Sequence, residues 1–261
     1  MDTVNTTTIR LGDVEVTRIG LGTNRLTSTP EHVELIRQAA AAGVNHIDTA
    51  YTYAGGESEQ TIGAALSPKP PDVVVATKGG YAPGAGRPEI LREQIDESLR
   101  RLRTDTIDLY YLHRVHPETR FEESVGALKE ARDAGKVRHI GLSKVGVDQI
   151  EVARRIVPIA AVQNNYNLSH REWDDVVDHC ESEGLVFVPY FPLQDDVTGE
   201  VDEIARRCGA TPAQVRLAWL LRRSRVMVPI PGSLSIEHVK ENLRAFEIEL
   251  ADAELEALSR G

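Results

Sequence analysis

The sequence has few of the residues that mark secreted or membrane-spanning proteins. Only two cysteines occur among 261 residues. Cys180 and Cys208 both lie at apolar positions of predicted helices, where we expect small core side chains and no disulfide framework. The N-terminal segment MDTVNTTTIR has no basic stretch followed by an apolar one, and no apolar run is long enough to span a bilayer. These absences favour a soluble cytoplasmic protein.

Positive charge is also scarce, since 30 Lys and Arg stand against 40 Asp and Glu, which gives a net charge of -10. Nucleic acids and anionic membranes attract basic surfaces, so the balance argues against both as partners. No linker rich in Pro, Gly or Ser divides the chain, and hydrophobic residues make up 41% of it. We therefore expect a single folded domain over residues 1–261 with a sizeable core. The pattern leaves the oligomeric state open.

The chain does contain a regular alternation of short apolar segments and amphipathic helices. A hairpin is predicted first, at residues 9–11 and 14–16 around Gly12-Asp13. Eight candidate strands follow, at residues 18–21, 44–48, 73–77, 107–112, 137–142, 160–163, 185–190 and 226–230. Strands that alternate with helices form a parallel sheet, and eight such units in about 250 residues is the size of a closed barrel. The sequence predicts an α/β fold, a (β/α)8 TIM barrel with a short N-terminal β-hairpin.

A doubly wound open sheet is the competing architecture. It favours a glycine fingerprint after the first strand, but Gly20-Leu21-Gly22-Thr23 lacks the third glycine and no helix opens there directly. Helical apolar stripes are predicted at Leu91, Ile95, Leu99 and Leu102, at Trp173, Val176, Val177 and Cys180, and at Val201, Ile204, Ala205 and Cys208. Thr211-Pro212-Ala213-Gln214 is typical of a capped helix start. The barrel is preferred.

Four titratable residues follow neighbouring predicted strands: Asp48, Tyr53, Lys78 and His113. The carboxyl ends of barrel strands meet at one face, so these side chains are expected to lie together. Taken singly, each has a plainer interpretation: Asp48 as a turn cap, Lys78 as a solvated residue, Tyr53 as loop packing and His113 as a residue of the barrel rim. Four complementary groups on adjacent strand ends nevertheless favour a catalytic site.

This set suits proton delivery to a carbonyl oxygen while a hydride arrives at the carbonyl carbon. A free phenol has a pKa of about 10, and a cationic lysine beside Tyr53 is expected to lower it. Asp48 would hold Lys78 charged and oriented, and His113 would donate to the carbonyl oxygen or orient it. This chemistry requires no metal and no covalent intermediate.

Three motifs carry a family resemblance: DTAYTYAGGESE at 48–59, TKGG at 77–80 and DLYYLHR at 108–114. With GLGT at 20–23 and PIPGSLSIEHVKEN at 229–242, the chain resembles the aldo-keto reductases over nearly its whole length. The resemblance implies an eight-stranded barrel that binds a nicotinamide cofactor without a Rossmann domain. It also implies that Asp48, Tyr53, Lys78 and His113 form the catalytic tetrad, with Tyr53 as the general acid in reduction.

The same resemblance implies a set of cofactor contacts. Gly22 and Thr23 would line the pyrophosphate side, Ser143 and Gln163 would bond the nicotinamide carboxamide, and Tyr190 would stack on the nicotinamide ring. The remaining implied contacts are Asp48, Lys144, Phe191, Leu193 and Gln194, with Gly232, Ser233, His238, Glu241 and Asn242 around the adenosine end. Lys144 stands where many members have Asn, and Gly232 and His238 stand where Lys or Arg is usual. NADP(H) is the expected cofactor, with NAD(H) as the alternative.

The substrate is expected to be a small-molecule carbonyl compound in an open pocket, because the loops at 114–120 and 191–200 are short. The expected pocket residues are Asn24, Tyr51, Tyr81, His113, Val115, His116 and Phe191. Some family members have tryptophan at the place of Gly80, and Tyr81 would fill the space that its absence leaves. Asp195-Asp196 either disfavours anionic substrates near the mouth or is simply a solvated pair.

Two other functions are open on the same barrel. A cofactor-sensing subunit that regulates a partner would bind the cofactor tightly with negligible turnover. A phosphate-binding barrel isomerase or aldolase would use Lys78 to form a Schiff base. Asp48 argues against that chemistry, since a neighbouring carboxylate keeps the amine protonated and poorly nucleophilic.

Overall fold

The structure is a computed structural model of the chain, and it describes residues 6–260. The ends of the expected domain, residues 1–5 and 261, lie outside the described residues. The strands are β1 Thr8–Leu11, β2 Val14–Thr17, β3 Leu21–Gly22, β4 His46–Asp48, β5 Val74–Gly79, β6 Ile107–Leu112, β7 Val137–Ser143, β8 Ile159–Gln163 and β9 Val186–Phe187.

Helices alternate with these strands. They are α1 Pro30–Ala41, α2 Glu57–Leu66, α3 Pro88–Leu102, α4 Phe121–Asp133, α5 Val147–Arg154, α6 Asp174–Glu183, α7 Gly199–Cys208, α8 Pro212–Arg223, α9 Ile236–Leu243 and α10 Asp252–Arg260. Between residues 6 and 260, no helix combines the length and the apolar character that crossing a bilayer requires.

Strands β3 to β9 form one parallel sheet in which each strand pairs with its neighbour in the sequence. The segment 226–231 closes this sheet into a barrel, because Val228 N donates to Phe187 O at 2.9 Å and Gly20 N donates to Pro229 O at 2.9 Å. Pro229 has no N–H to donate in return, so the predicted eighth strand stands in its expected place as isolated bridges and not as a regular strand. The predicted TIM barrel is confirmed.

The predicted N-terminal hairpin is also confirmed, as β1 paired antiparallel with β2. Leu11 and Val16 from the hairpin are fully buried, in the same apolar cluster as the barrel-interior residues Val74, Leu109 and Val228. The hairpin therefore fills the amino-terminal end of the barrel. The opposite end, where the strands finish, is the one left for chemistry.

Arg18, just after the hairpin, links the start of the barrel to the segment that closes it. Its side chain is buried, and its guanidinium donates to the backbone oxygens of Leu221 at 2.8 Å, Ser224 at 2.7 Å and Met227 at 3.2 Å. Burial lowers the pKa of the guanidinium to about 10, so it remains a cation at neutral pH. One side chain thus bonds carbonyl groups at the end of α8 and at the start of the closing segment.

The helices carry the stripes that the sequence predicts. The stripe residues of α3 and α6 are buried or pack against the core, and Cys180 is fully buried. Cys208, the last residue of α7, is half-buried beside the same core. At the start of α8, Thr211 accepts from Gln214 N while the Gln214 amide accepts from Thr211 N, which completes the predicted capping arrangement.

Candidate active site

Three neighbouring strands bring the four predicted catalytic residues to the carboxyl end of the barrel. Asp48 ends β4, Lys78 lies near the end of β5, and His113 directly follows β6. The parallel register pairs Lys78 with Tyr111, and His113 N donates to Gly79 O at 2.8 Å. Tyr53 is delivered by the turn after β4. The sequence expectation that these residues converge is therefore met in the fold.

Lys78 and Asp48 form a buried ion pair, with Nζ 2.5 Å from Oδ1. The same ammonium donates to Thr49 O at 2.7 Å, and the second carboxylate oxygen accepts from Gln163 Nε2 at 2.8 Å. Burial lowers the pKa of Lys78, but the Asp48 carboxylate and the Tyr53 phenol more than offset that effect and leave the pKa above its ordinary value. Lys78 is a fixed cation, which leaves it unsuited to forming a Schiff base.

Tyr53 lies above this ion pair, with its Oη 3.5 Å from Lys78 Nζ. Burial raises the pKa of the phenol, and Lys78, which lowers it, does not compensate, so the pKa lies above its ordinary value. The expectation that Lys78 brings this pKa below that of a free phenol is wrong. The separation allows only a weak hydrogen bond, while burial strongly disfavours the phenolate.

His113 completes the group as a neutral imidazole. Its ring lies 6.1 Å from the ring of Tyr53 and 4.8 Å from the ring of Tyr81, centroid to centroid. Burial lowers the pKa of His113 to about 2, assisted by the cations Lys78, Lys144 and Arg114. A neutral imidazole keeps one N–H to donate, as a hydrogen bond to a carbonyl oxygen requires.

The turn that carries Tyr53 depends on glycine. Ala54, Gly55 and Gly56 all have positive φ, at 48°, 65° and 100°. A Cβ on Gly56 would come within 2.4 Å of the Arg101 guanidinium, so a side chain at this position would displace that guanidinium. The paired glycines of the motif therefore let the turn close tightly against α3.

Arg101 and Glu59, two charged residues that the sequence reasoning missed, hold this turn in place. Arg101 donates to Tyr51 O at 2.9 Å and to the fully buried Glu59 at 3.2 Å. Glu59 in turn accepts from Thr77 Oγ1 at 2.6 Å, next to Lys78 on β5. A signal for Glu59 exists, because it stands on the apolar face of α2. Arg101 offered none, since its contacts lie far away in the sequence.

The converging strand ends line a cavity of about 640 Å³, a size typical of small-molecule sites. Most of the expected residues form its wall: Gly22, Thr23, Asn24, Asp48, Tyr53, Tyr81, His113, Ser143, Lys144, Gln163, Tyr190, Phe191, Leu193, Gln194 and Gly232. Arg25, Thr52, Pro192, Ile230 and Pro231 also line it and were missed. Arg25 Nη2 donates to Gly232 O at 3.3 Å, which places a cation at the glycine end of the cavity.

Three of the expected pocket residues are not part of this wall. The ring of Tyr51 lies 4.5 Å from the Arg101 guanidinium. Val115 packs against the core, and the buried His116 ring bonds Gly80 O through Nε2 at 2.9 Å. At Gly80 itself, a Cβ would meet Leu112 and Leu91, so a larger side chain there would enter the core behind β5.

Of the five residues expected at the adenosine end, Gly232 lines the cavity, and the other four follow it in the chain without lining it. The hydroxyl of Ser233 donates to Ser235 O and accepts from Ser235 N, both at 3.0 Å. Ser235 caps α9, and Asn242 is buried further along that helix. His238 and Glu241 lie on the same helix, with His238 exposed.

Comparisons with known proteins agree on one family. The sequence model of the Aldo/keto reductase family matches residues 18–197 and 194–260 of the chain. Pyridoxine 4-dehydrogenase of Escherichia coli (strain K12) is 35% identical over 280 residues, which cover 98% of this chain and 98% of that protein.

Two solved structures are similar throughout. The thermostable aldo-keto reductase Tm1743, crystallised with the inhibitor epalrestat, has a TM-score of 0.89 and 34% identity, over 98% of this chain and 99% of that chain. An aldo-keto reductase from Klebsiella pneumoniae in complex with NADPH has a TM-score of 0.88 and 30% identity, over 97% of this chain and 94% of that chain.

Proposed function

We propose that this chain, which belongs to the aldo/keto reductase family, reduces an aldehyde or ketone to the alcohol with NADPH, with Tyr53 as the general acid. The observation that carries the proposal is the position of Tyr53. Its phenol faces a cavity while its oxygen lies 3.5 Å from a buried ammonium that Asp48 holds in place. That arrangement supports proton transfer to an oxygen bound in the cavity.

The residues of the cavity fit a nicotinamide dinucleotide. A Cβ on Gly22 would come within 2.7 Å of Ile230 O, so only glycine fits beside that backbone oxygen. Gly22, Gly232 and the cation of Arg25 would hold the pyrophosphate, and Tyr190 and Ser143 would hold the nicotinamide. Bound NADPH supplies the hydride that reduces the carbonyl carbon. NADPH is preferred because similar proteins bind it, and NADH is the alternative.

The four catalytic side chains have separate tasks in the proposed reaction. Tyr53 gives its phenolic proton to the carbonyl oxygen as that oxygen gains charge. Lys78 stabilises the phenolate that remains, and Asp48 keeps the ammonium oriented. His113, neutral because of its burial among cations, donates a hydrogen bond to the same oxygen. In the reverse direction the phenolate of Tyr53 accepts the proton of the alcohol.

The first test follows the absorbance loss of NADPH and, separately, of NADH with a panel of small aldehydes and ketones. We expect consumption with NADPH. In Tyr53→Phe the rate should fall at least about a hundredfold, since a positioned general acid contributes on that scale, while the affinity for NADPH is retained.

Tyr51→Phe is the matched control, because it removes the same hydroxyl two residues away and outside the cavity wall. It should keep the wild-type rate. A Tyr53→Phe enzyme that keeps most of its rate would refute the assigned role. NADPH binding without consumption across the whole panel would instead favour the cofactor-sensing function.

A further inference from the structure

We infer that the carbonyl substrate carries an anionic group, a carboxylate or a phosphate ester, which Lys144 and Arg114 bind beside the reacting centre. This inference rests on the proposed function. Its starting observation is the ring of Tyr81, which has Arg114 Cζ at 4.7 Å and Lys144 Nζ at 5.6 Å from its centroid. The same ring lies 4.8 Å from that of His113, so both cations are one ring away from the expected carbonyl oxygen.

Neither cation is paired with a carboxylate in the part of the chain that the structure describes. Most basic residues of this acidic chain are paired, as Lys129 is with Asp133 and Arg92 is with Glu130. Lys144 is half-buried, and its ammonium contacts only the faces of Tyr81 and Tyr190, the latter at 5.7 Å. A cation left in this state is available to an anion that enters the cavity.

The backbone at Lys144 is strained. Lys144 has a φ of 59°, in the left-handed region that a residue with a Cβ rarely adopts, and its N–H is fixed to Gln163 O at 3.1 Å. Such a conformation is unfavourable for a residue with a Cβ and tends to persist at functional positions. Here it sets the side chain against the cavity between Tyr81 and Tyr190.

Negative charge near the cavity does not cancel these cations. Asp48, the one acidic residue among those lining it, is bonded to Lys78. Asp195, expected near the mouth, has a fully buried carboxylate bonded to Arg216 Nε at 2.8 Å, so it neither repels anions nor is solvated. The chain as a whole carries -10, yet this one cleft presents cations, and a charged cleft concentrates ligands of opposite sign.

The bound cofactor is also an anion, but its proposed phosphate contacts, Gly22, Gly232 and Arg25, are not the residues that Lys144 and Arg114 contact. Arg25 is bonded to Gly232, where the pyrophosphate is proposed. Lys144 lines the cavity, and Arg114, which does not line it, lies over the same Tyr81 ring. That ring neighbours His113, where the carbonyl group is proposed. Substrate recognition is therefore the role that their positions fit.

The test compares three aldehydes of similar shape: 4-formylbenzoate, its methyl ester, and 4-formylphenyl phosphate. We expect kcat/KM to be higher for at least one of the two anions than for the neutral ester, and the stronger of the two identifies the anionic group. Lys144→Met should lower that preference roughly fivefold, because kcat/KM should fall more for the anion than for the ester, mainly through KM. Arg114→Met should act in the same direction, and added salt should weaken the preference of the wild type.

Lys129→Met is the matched control, since it removes an exposed lysine of α4 far from the cavity, and it should change nothing. Equal kcat/KM for anions and ester, or an undiminished preference in Lys144→Met, would overturn the inference and leave the proposed function standing. A Lys144→Met enzyme that loses affinity for NADPH without losing the preference would also overturn it. Consumption of none of the three aldehydes would count against the proposed function, and the inference would fail with it.

Discussion

His46 has surroundings that disfavour its protonated form. It is fully buried inside the barrel on the same strand face as Asp48, and neither ring nitrogen has a hydrogen-bond partner among residues 6–260. Burial lowers its pKa to about 4; nearby Lys78 lowers it too, and Asp48 acts in the opposite direction. In the unfolded chain a histidine has a pKa of about 6.5. As the pH falls, His46 is therefore protonated in the unfolded chain before it is protonated in the folded one.

The folded pKa of His46 lies below the unfolded one, so its neutral form contributes stability above about pH 6.5 that is lost as the pH falls towards 4. Between pH 7 and pH 4.5 this loss is about 2 kcal/mol. We expect His46→Leu to lose that much less stability than the wild type over this interval. Urea unfolding at both pH values measures it, with His238→Leu, on the exposed side of α9, as the control. Equal acid losses in His46→Leu and wild type would contradict the assignment.

At the scale of the single residue, the sequence predicted which titratable groups converge at the cavity but not their partners. Asp48, Tyr53, Lys78 and His113 could be identified because short motifs mark them. The bond from Gln163 to Asp48 spans 115 positions, and the one from Arg101 to Glu59 spans 42. Contacts of that kind depend on how strands and helices pack, and no local pattern of residues encodes them.

Among the secondary-structure elements, α8 allows the contribution of one helix cap to stability to be measured. Thr211 caps it with a side-chain bond to Gln214 N. We expect Thr211→Ala to lower the free energy of unfolding by about 1 kcal/mol, the usual contribution of such a cap. Thr198→Ala is the matched control, because Thr198 stands at the cap position of α7 without making a side-chain capping bond. Equal losses in the two variants, measured in urea, would show that the capping bond contributes nothing.

The elements themselves were well predicted wherever periodicity and capping residues determine them. The hairpin, the apolar stripes and the start of α8 all appear as expected. The segment at 226–230 shows the limit of that approach. Its apolar residues correctly predict its place as the eighth stave-forming segment of the barrel wall, but Pro229 within it and Pro231 after it prevent regular strand pairing.

For the molecule as a whole, Arg18 is the contact that joins the start of the barrel to its end. We expect Arg18→Lys to lower the free energy of unfolding by roughly 2 kcal/mol, because a lysine keeps the charge but cannot reach the carbonyl oxygens of Leu221, Ser224 and Met227 together. Arg132→Lys, at an exposed position of α4, is the control and should change little. Identical urea midpoints for Arg18→Lys and wild type would mean that closure does not depend on the guanidinium.

The contact from Arg18 to Met227 spans 209 positions, and this has a consequence for protein synthesis. Ribosomes add roughly 5–20 residues per second, so Arg18 is added to the chain about 10 to 40 s before its last acceptor. A similar interval separates the synthesis of Leu11 and Val16 from that of Val228, which belongs to the same apolar cluster in the barrel interior. We expect the nascent chain to present an apolar hairpin and an open sheet edge throughout that interval, which makes its N-terminal segment the part most in need of a chaperone.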